Sequence, residues 1–289
     1  MTLLVRDEAD IVRQNIEFHL KHGVDFIIAT DHKSNDGTSE ILKEYEDKGV
    51  LFLIREENES RYQAKWVNHM GKLAFEKFGA NLIFHCDADE FWYPKSGNIK
   101  TQLLSQPLVD ILKVQVRNVL LKNRDMAEKF PADVGYIVNN PLASKDVIND
   151  SKEISFFLFK YPVKVIYKLS DSYLNVCRGN HRVIERDNYV ASDAVDITIY
   201  HFPIRGKANF FSKVRKSYAA EKESPSSSTN GWHWQRWCEM YRQGELENEY
   251  RKLNLYGDDI DYWREKEVVT EGTQLISELG LDTASSKNN

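Results

Sequence analysis

The chain has 289 residues, 42% of them hydrophobic and 29% charged, with a formal net charge of −5. That length suits one large domain or a domain with an extension, and the composition is that of a globular protein. Both signs of charge are interspersed, so no Lys/Arg block marks a nucleic-acid partner, and no apolar run nears the roughly 18 residues that span a bilayer. The cysteines Cys86, Cys177 and Cys238 are odd in number and widely spaced, which predicts neither a disulfide framework nor a zinc cluster. A reduced, cytoplasmic setting is expected, without a secretion signal and compatible with peripheral attachment to a membrane.

The first ninety residues alternate regularly. Residues 2–5 form a short apolar strand. Residues 7–22 read as a helix on Ile11, Val12, Ile16 and Leu20, opened by Asp7, Glu8 and Asp10 and closed by Gly23. A strand at 26–30 leads to a helix at 38–48 on Ile41, Leu42 and Tyr45, then to a strand at 50–54. Residues 62–78 predict a longer helix with Trp66, Val67, Met70, Leu73, Ala74 and Phe78 inward, and a fourth strand runs to Asp87. Alternation of this kind, with nearly continuous apolar strands, predicts a parallel sheet covered on both faces.

After Pro94 the pattern is mixed. Strand-like runs appear at 110–117, 155–161, 164–169, 182–185 and 196–201, separated by long polar connections at 122–133 and 139–153. From Gly206 the chain turns helical and aromatic, with Phe210, Phe211, Val214 and Tyr218 at helical spacing. Residues 224–231 read as a loop and 282–289 as a disordered tail. The fold class expected is α/β: a mostly parallel central sheet with helices on both faces, a mixed second half and a helical C-terminal extension.

The chemistry concentrates at strand ends. In Asn81-Leu82-Ile83-Phe84-His85-Cys86-Asp87-Ala88-Asp89-Glu90-Phe91 an apolar strand runs into three acidic residues. Ligands of open α/β sheets sit outside the carboxyl ends of strands, and unpaired charge is too costly to serve as core. Hard oxygen ligands there suit Mg²⁺ or Mn²⁺; the bland alternative is a solvated acidic turn. Alternate residues on extended backbone project the same way, so Asp87 and Asp89 are expected to reach one site. A second strand end gives Asp31-His32-Lys33-Ser34-Asn35-Asp36-Gly37-Thr38. Here Asp36 and Thr38 read as a helix-capping turn and Asp31 as an acceptor for a base N–H or a ribose hydroxyl. The chain has no G-x-G-x-x-G, G-x-x-x-x-G-K, H-E-x-x-H or G-x-S-x-G motif.

Together, Val5-Arg6-Asp7-Glu8, the Asp31-x-x-Ser34-x-Asp36-Gly37-Thr38 run and Asp87-Ala88-Asp89-Glu90-Phe91 resemble the family 2 glycosyltransferases, nearest to a bacterial branch with the metal motif Asp-Ala-Asp-Glu-Phe. Gly179-Asn180-His181 and His201-Phe202-Pro203-x-Arg205, with Phe211 and Lys213, extend the resemblance to about residues 1–218. Gly206 departs from it, since a serine is expected after the arginine.

The resemblance implies a GT-A fold over residues 1–205, with a nucleotide-sugar half (1–105) and an acceptor half (106–205), followed by the extension (206–281) and tail (282–289). It implies a nucleotide-sugar donor, UDP-sugar favoured, a saccharide or glycoconjugate acceptor, Mn²⁺ or Mg²⁺ on the diphosphate, inversion, and a role in surface polysaccharide or glycoconjugate synthesis. Asp31 would hold the base or ribose, with Arg6 and Glu8 beside the nucleotide and Gln63 touching the donor. Asp89 would bind the metal, Asp87 the metal or ribose, and His201 would complete the shell, while Glu90 orients the loop. His181 would be the catalytic base, with Asp171 and Glu185 as alternatives, and Arg205 and Lys213 would clamp the diphosphate. Trp66 is expected in the core. Trp232, Trp234 and Trp237 suit core packing or an oligomer contact better than a sugar platform.

Of three rival readings, two differ from this one at particular residues. A sugar nucleotidyltransferase needs a Gly-rich phosphate loop where this chain has the acidic run Val5 to Asp10. An aspartyl-phosphate phosphatase needs Thr or Val where Phe91 stands. A non-catalytic nucleotide-sugar or carbohydrate-binding protein is not separated by any residue.

Overall fold

The structure, a computed structural model, describes residues 1–57, 63–122, 134–143, 147–150, 152–170, 172–184, 189–223, 231–255 and 257–281. Along the chain come β1 (Thr2–Val5), α1 (Val12–Lys21), β2 (Ile27–Asp31), α2 (Thr38–Asp47), β3 (Leu51–Arg55), α3 (Gln63–Glu76), β4 (Leu82–Asp87), β5 (Glu90–Pro94), α4 (Thr101–Leu104) and β6 (Ile111–Leu121). There follow β7 (Val134–Val138), α5 (Val147–Asp150), β8 (Lys164–Lys168), β9 (Ala191–His201), α6 (Lys207–Glu223), α7 (Trp232–Gln243), α8 (Leu246–Leu253), α9 (Asp258–Glu265), β10 (Val269–Glu271) and α10 (Thr273–Glu278). The chain divides into two compact units, Met1–Val116 with Pro162–Tyr200, and Arg117–Tyr161 with the chain from His201. The linker at 224–230, the tail at 282–289, and the alternative bases Asp171 and Glu185 lie outside the described residues.

The first unit holds the parallel sheet that the apolar strands predict. β4, β1, β2 and β3 lie side by side and parallel, and β8 adds antiparallel to β4. One face carries Ile28 and Ile83, with Leu4, Phe26, Phe52 and Ile54, against Val67, Met70 and Ala74 of α3. On the other face α1 packs its His19 ring 5.9 Å from Phe84 and sends the Asn15 amide to Cys86. The period-2 alternation of each strand meets a helix on both sides, which is why both sets of its residues are apolar.

Four expectations change. The first helix begins at Val12, because residues 6–11 form a loop with Asp7 in the left-handed region at φ 56°. α3 stops at Glu76, so Phe78 lies 37% exposed, its ring tilted against those of Phe26 and Phe52 at 4.7 and 5.4 Å. Residues 156–158 form a 3₁₀ turn rather than a strand, where buried aromatics serve a helical neighbour. The run at 182–185 provides only a single bridge, Val176 to Val183.

In the second unit that 3₁₀ turn and the ends of β6 and β7 pack against the C-terminal helices. Trp237 is buried, with its ring 5.1 Å from Phe210 and 5.8 Å from Phe156, and the Trp232 ring is 5.6 Å from Phe156. Trp234 packs on Trp237 at 5.1 Å. The tryptophans are therefore core. No described helix is long and apolar enough to cross a membrane.

Candidate active site

Register fixes where the strand-end carboxylates emerge. In the parallel ladder Asp31 pairs with Val5 and Asp87 with Leu4. β1 thus lies between the two acidic strands, which stand roughly 10 Å apart at two inter-strand spacings. Successive residues of β1 face opposite sides, and paired residues share a side. Asp31 therefore leaves the sheet on the face of α2, and Asp87 leaves it on the face of α3. Asp31 and Asp87 thus end strands separated by β1 and leave opposite faces of the sheet.

The Asp31 corner is closed on itself. Its carboxylate accepts from the Ser34 N–H at 3.1 Å and from the Ser39 hydroxyl at 2.5 Å. The loop after β1 is tied to the same turn: Asp7 N–H donates to Ser34 Oγ, Glu8 N–H to Thr38 Oγ1 and Ala9 N–H to Asp36 Oδ2, at 2.9–3.0 Å. Asp36 also accepts from the N–H and the hydroxyl of Thr38, which is the capping turn its sequence predicts. Arg6 and Glu8 sit half-buried at this corner, and Gln63 is half-buried at the first residue of α3. Trp66 is buried, its ring 4.5 Å from that of His32.

The Asp87 corner is built around a residue that sequence reasoning missed. Lys164 heads β8, and its ammonium lies 2.6 Å from Asp87 Oδ2 and 2.6 Å from Glu90 Oε1. Its side chain is 3% exposed. Burial works against that charge, yet Asp87 and Glu90 hold the ammonium well above the usual lysine range. Burial likewise pushes the Glu90 carboxyl above its ordinary value, with Lys164 opposing. Glu90 also accepts from the Asp87 N–H at 3.3 Å, so it does close the acidic turn. From α1, the buried Asn15 amide donates to the carbonyls of Ala88 at 3.1 Å and Glu90 at 2.8 Å. Asp87 ends β4 and Ala88-Asp89 is a turn, so Asp87 and Asp89 are not alternate positions on one extended strand.

His181 follows a tight bend in which Gly179 and Asn180 both have positive φ, 78° and 61°. Its Nδ1 lies 2.9 Å from the carbonyl oxygen of Val163, the residue before Lys164. A carbonyl only accepts, so Nδ1 carries the hydrogen, and in the neutral ring Nε2 is left as an acceptor. Burial lowers the His181 pKa, and Lys164 lowers it further, against the Val163 hydrogen bond and the Asp87 charge. Asn68 of α3 anchors the preceding segment: its side chain accepts from the Val176 N–H at 2.8 Å and donates to the Val176 carbonyl at 3.1 Å.

The remaining expected residues belong to the second unit. His201 is buried, its Nδ1 2.8 Å from Asn118 Oδ1, while the Asn118 amide donates to the Phe157 carbonyl. That arrangement puts the hydrogen on Nδ1. Arg205 is buried and Lys213 half-buried.

As for a cation, no three His, Cys, Asp or Glu side chains are gathered as a metal set among the described residues. Asp87 and the half-buried Asp89 nonetheless offer oxygen-only ligands. Mg²⁺ is commonly held by one or two carboxylates plus substrate phosphates, and that pair fits such a site, with Asp87 Oδ1 left over from Lys164.

The sequence model of glycosyltransferase family 92 matches residues 2–202. The chain belongs to glycosyltransferase family 92. The resemblance to family 2 holds as far as a glycosyltransferase; the family that matches is 92. No curated protein matches the chain. Among solved structures, the family 92 chain is similar to S. aureus TarS 1–349, at 12% identity, a TM-score of 0.40, and coverage of 86% of this chain and 70% of that one. It is similar to TarS 1–349 in complex with UDP-GlcNAc at 11% identity and a TM-score of 0.40, covering 88% and 72%. The complex with UDP gives 11% and 0.38, covering 92% and 90%.

Lys164 left little trace in the sequence. It is a single lysine before the apolar Val165-Ile166-Tyr167, ordinary for a strand start. Only the antiparallel pairing of Phe84 with Ile166 carries it to the tip of β4.

Proposed function

We propose that this family 92 protein transfers a sugar, with inversion, from a nucleotide-sugar donor, UDP-sugar favoured, to a hydroxyl of a saccharide or glycoconjugate, in polysaccharide or glycoconjugate synthesis. The observation that carries this reading is the single cluster at the tips of β4 and β8. There an outward acidic turn and a histidine with an unprotonated Nε2 meet around Lys164.

In this reading Asp87 and Asp89 hold Mn²⁺ or Mg²⁺. When bound, the cation supplies Lewis-acid stabilisation of the leaving diphosphate. His181 Nε2 takes the proton of the acceptor hydroxyl as its oxygen attacks the anomeric carbon, and the sugar–diphosphate bond breaks on the opposite side. Val163 keeps Nδ1 protonated and so holds the imidazole in the tautomer that can accept. The turn that Asp31 shapes, with Arg6, Glu8 and Gln63, receives the nucleoside. The reaction is cytoplasmic in this proposal.

The test is a panel of UDP-, GDP- and dTDP-sugars incubated with and without Mn²⁺, following donor binding and slow hydrolysis. Cation-dependent binding of one nucleotide class, lost in Asp89→Ala, supports the reading. Binding that ignores Mn²⁺ and survives Asp89→Ala contradicts it.

A further inference from the structure

We infer that Lys164 is a positioning residue for transfer, holding the base His181 and the donor-side carboxylate Asp87 in one frame. The inference rests on the glycosyltransferase reading above and goes beyond it, since nothing in that chemistry requires a lysine.

Two neighbouring residues make the link. The carbonyl of Val163 fixes the His181 imidazole at 2.9 Å. That carbonyl and the Lys164 N–H belong to one planar peptide unit, which moves as a rigid body. The ammonium of Lys164 then fixes Asp87 Oδ2 and Glu90 Oε1, each at 2.6 Å. A shift of the Lys164 backbone therefore displaces the base and the carboxylate together.

The pairing leaves each partner one outward function. With Oδ2 committed, Asp87 presents Oδ1, and its side chain is 36% exposed while Lys164 is 3% exposed. Lys164 is thus too enclosed to touch a donor. It is also too costly to bury alone, because removing one partner of a buried ion pair leaves an uncompensated charge. Glu90 meets that need from inside, 2% exposed, and its second oxygen receives the Asp87 N–H. The side of the frame that bears the base is bounded by Gly179, where an added Cβ would lie 2.4 Å from His181 Nε2. The imidazole has no room to swing toward that bend.

The test compares Lys164→Met/Glu90→Gln, which removes the buried charges in balance, with Lys164→Arg, which keeps the cation but enlarges it. Binding is read with Mn²⁺ and UDP as probes; turnover is read as hydrolysis of whichever UDP-sugar the wild type cleaves, with water in the acceptor's place. The double variant should bind Mn²⁺–UDP within about threefold of wild type while hydrolysis falls at least a hundredfold. Lys164→Arg should bind equally well and lose about tenfold. Hydrolysis within tenfold of wild type in the double variant overturns the inference, as does a fall in binding that matches the fall in hydrolysis. Should the double variant not fold, Lys164→Arg decides: wild-type hydrolysis in that variant overturns it. His181→Ala and Asp89→Ala run beside them. If those two retain full hydrolysis, the parent reading fails; if they lose it while the Lys164 variants do not, only the positioning role fails.

Discussion

At the carboxyl edge of one parallel sheet, two acidic strand ends are built in opposite ways. Asp31 gives both oxygens to its own turn, to Ser34 and Ser39, three and eight residues on. Asp87 gives one oxygen to a lysine 77 residues away and is steadied by an asparagine from another helix. In the first corner neutral hydroxyls and backbone N–H groups surround the carboxylates and shape a loop. The second is a long-range charged cluster that holds a half-exposed carboxylate on one side and the His181 imidazole on the other. The difference teaches that an aspartate at a strand tip is not by itself a ligand: what its oxygens already hold decides what it can still do.

The largest expected effect breaks the second corner at its base. His181→Ala should lower donor hydrolysis by about 10²–10⁴-fold, the usual contribution of general base catalysis, with Mn²⁺–UDP binding retained in titration. Equal losses in binding and turnover would move His181 from proton transfer to donor holding.

Gly179→Ala should follow. Its φ of 78° costs an L-residue roughly 1–2 kcal/mol, and the new Cβ meets His181 Nε2 at 2.4 Å. A loss of thermal stability together with at least a tenfold fall in hydrolysis is expected. Stability lost with hydrolysis intact would show that the imidazole does not act from this position.

The pH profile gives a smaller effect with a definite sign. His181 must be neutral to accept a proton, so turnover is lost as pH falls through its pKa. Burial and Lys164 lower that pKa, which places the acid limb of kcat below about 6.5, the unperturbed imidazole value. A limb centred above 7 would contradict the assigned environment.

The smallest effect belongs to the first corner. Ser39→Ala removes one of the Asp31 partners and should cost about 1 kcal/mol of stability, read by urea unfolding, with hydrolysis within twofold of wild type. A large loss of turnover there would erase the contrast between the corners.

Legibility in the sequence follows the same divide. The parallel strands and their helices were readable because apolar periodicity is local, and the Asp36–Thr38 cap because its donor and acceptor are two residues apart. The loop at 6–11 has the composition of a helix start. Asp7, Glu8 and Asp10 suit a first turn, but the backbone N–H groups of Asp7, Glu8 and Ala9 are taken by Ser34, Thr38 and Asp36. The aromatic 3₁₀ turn at 156–158 looked like a strand because a short buried run has no period of its own. Lys164 was invisible for a deeper reason: its role exists only after β8 has paired with β4. The face to which Asp31 points depended on knowing that β1 lies between the two acidic strands.

The most direct test of the account asks whether a cation at the acidic turn stands beside His181. With ¹³C-labelled histidine, the ring signals of the protein are followed as Mn²⁺ is added in the presence of UDP. The account predicts that the His181 signals broaden beyond detection at the lowest Mn²⁺ additions, while those of His22, at the amino edge of the sheet, persist. Unchanged His181 signals at a Mn²⁺ level that saturates UDP binding would contradict it.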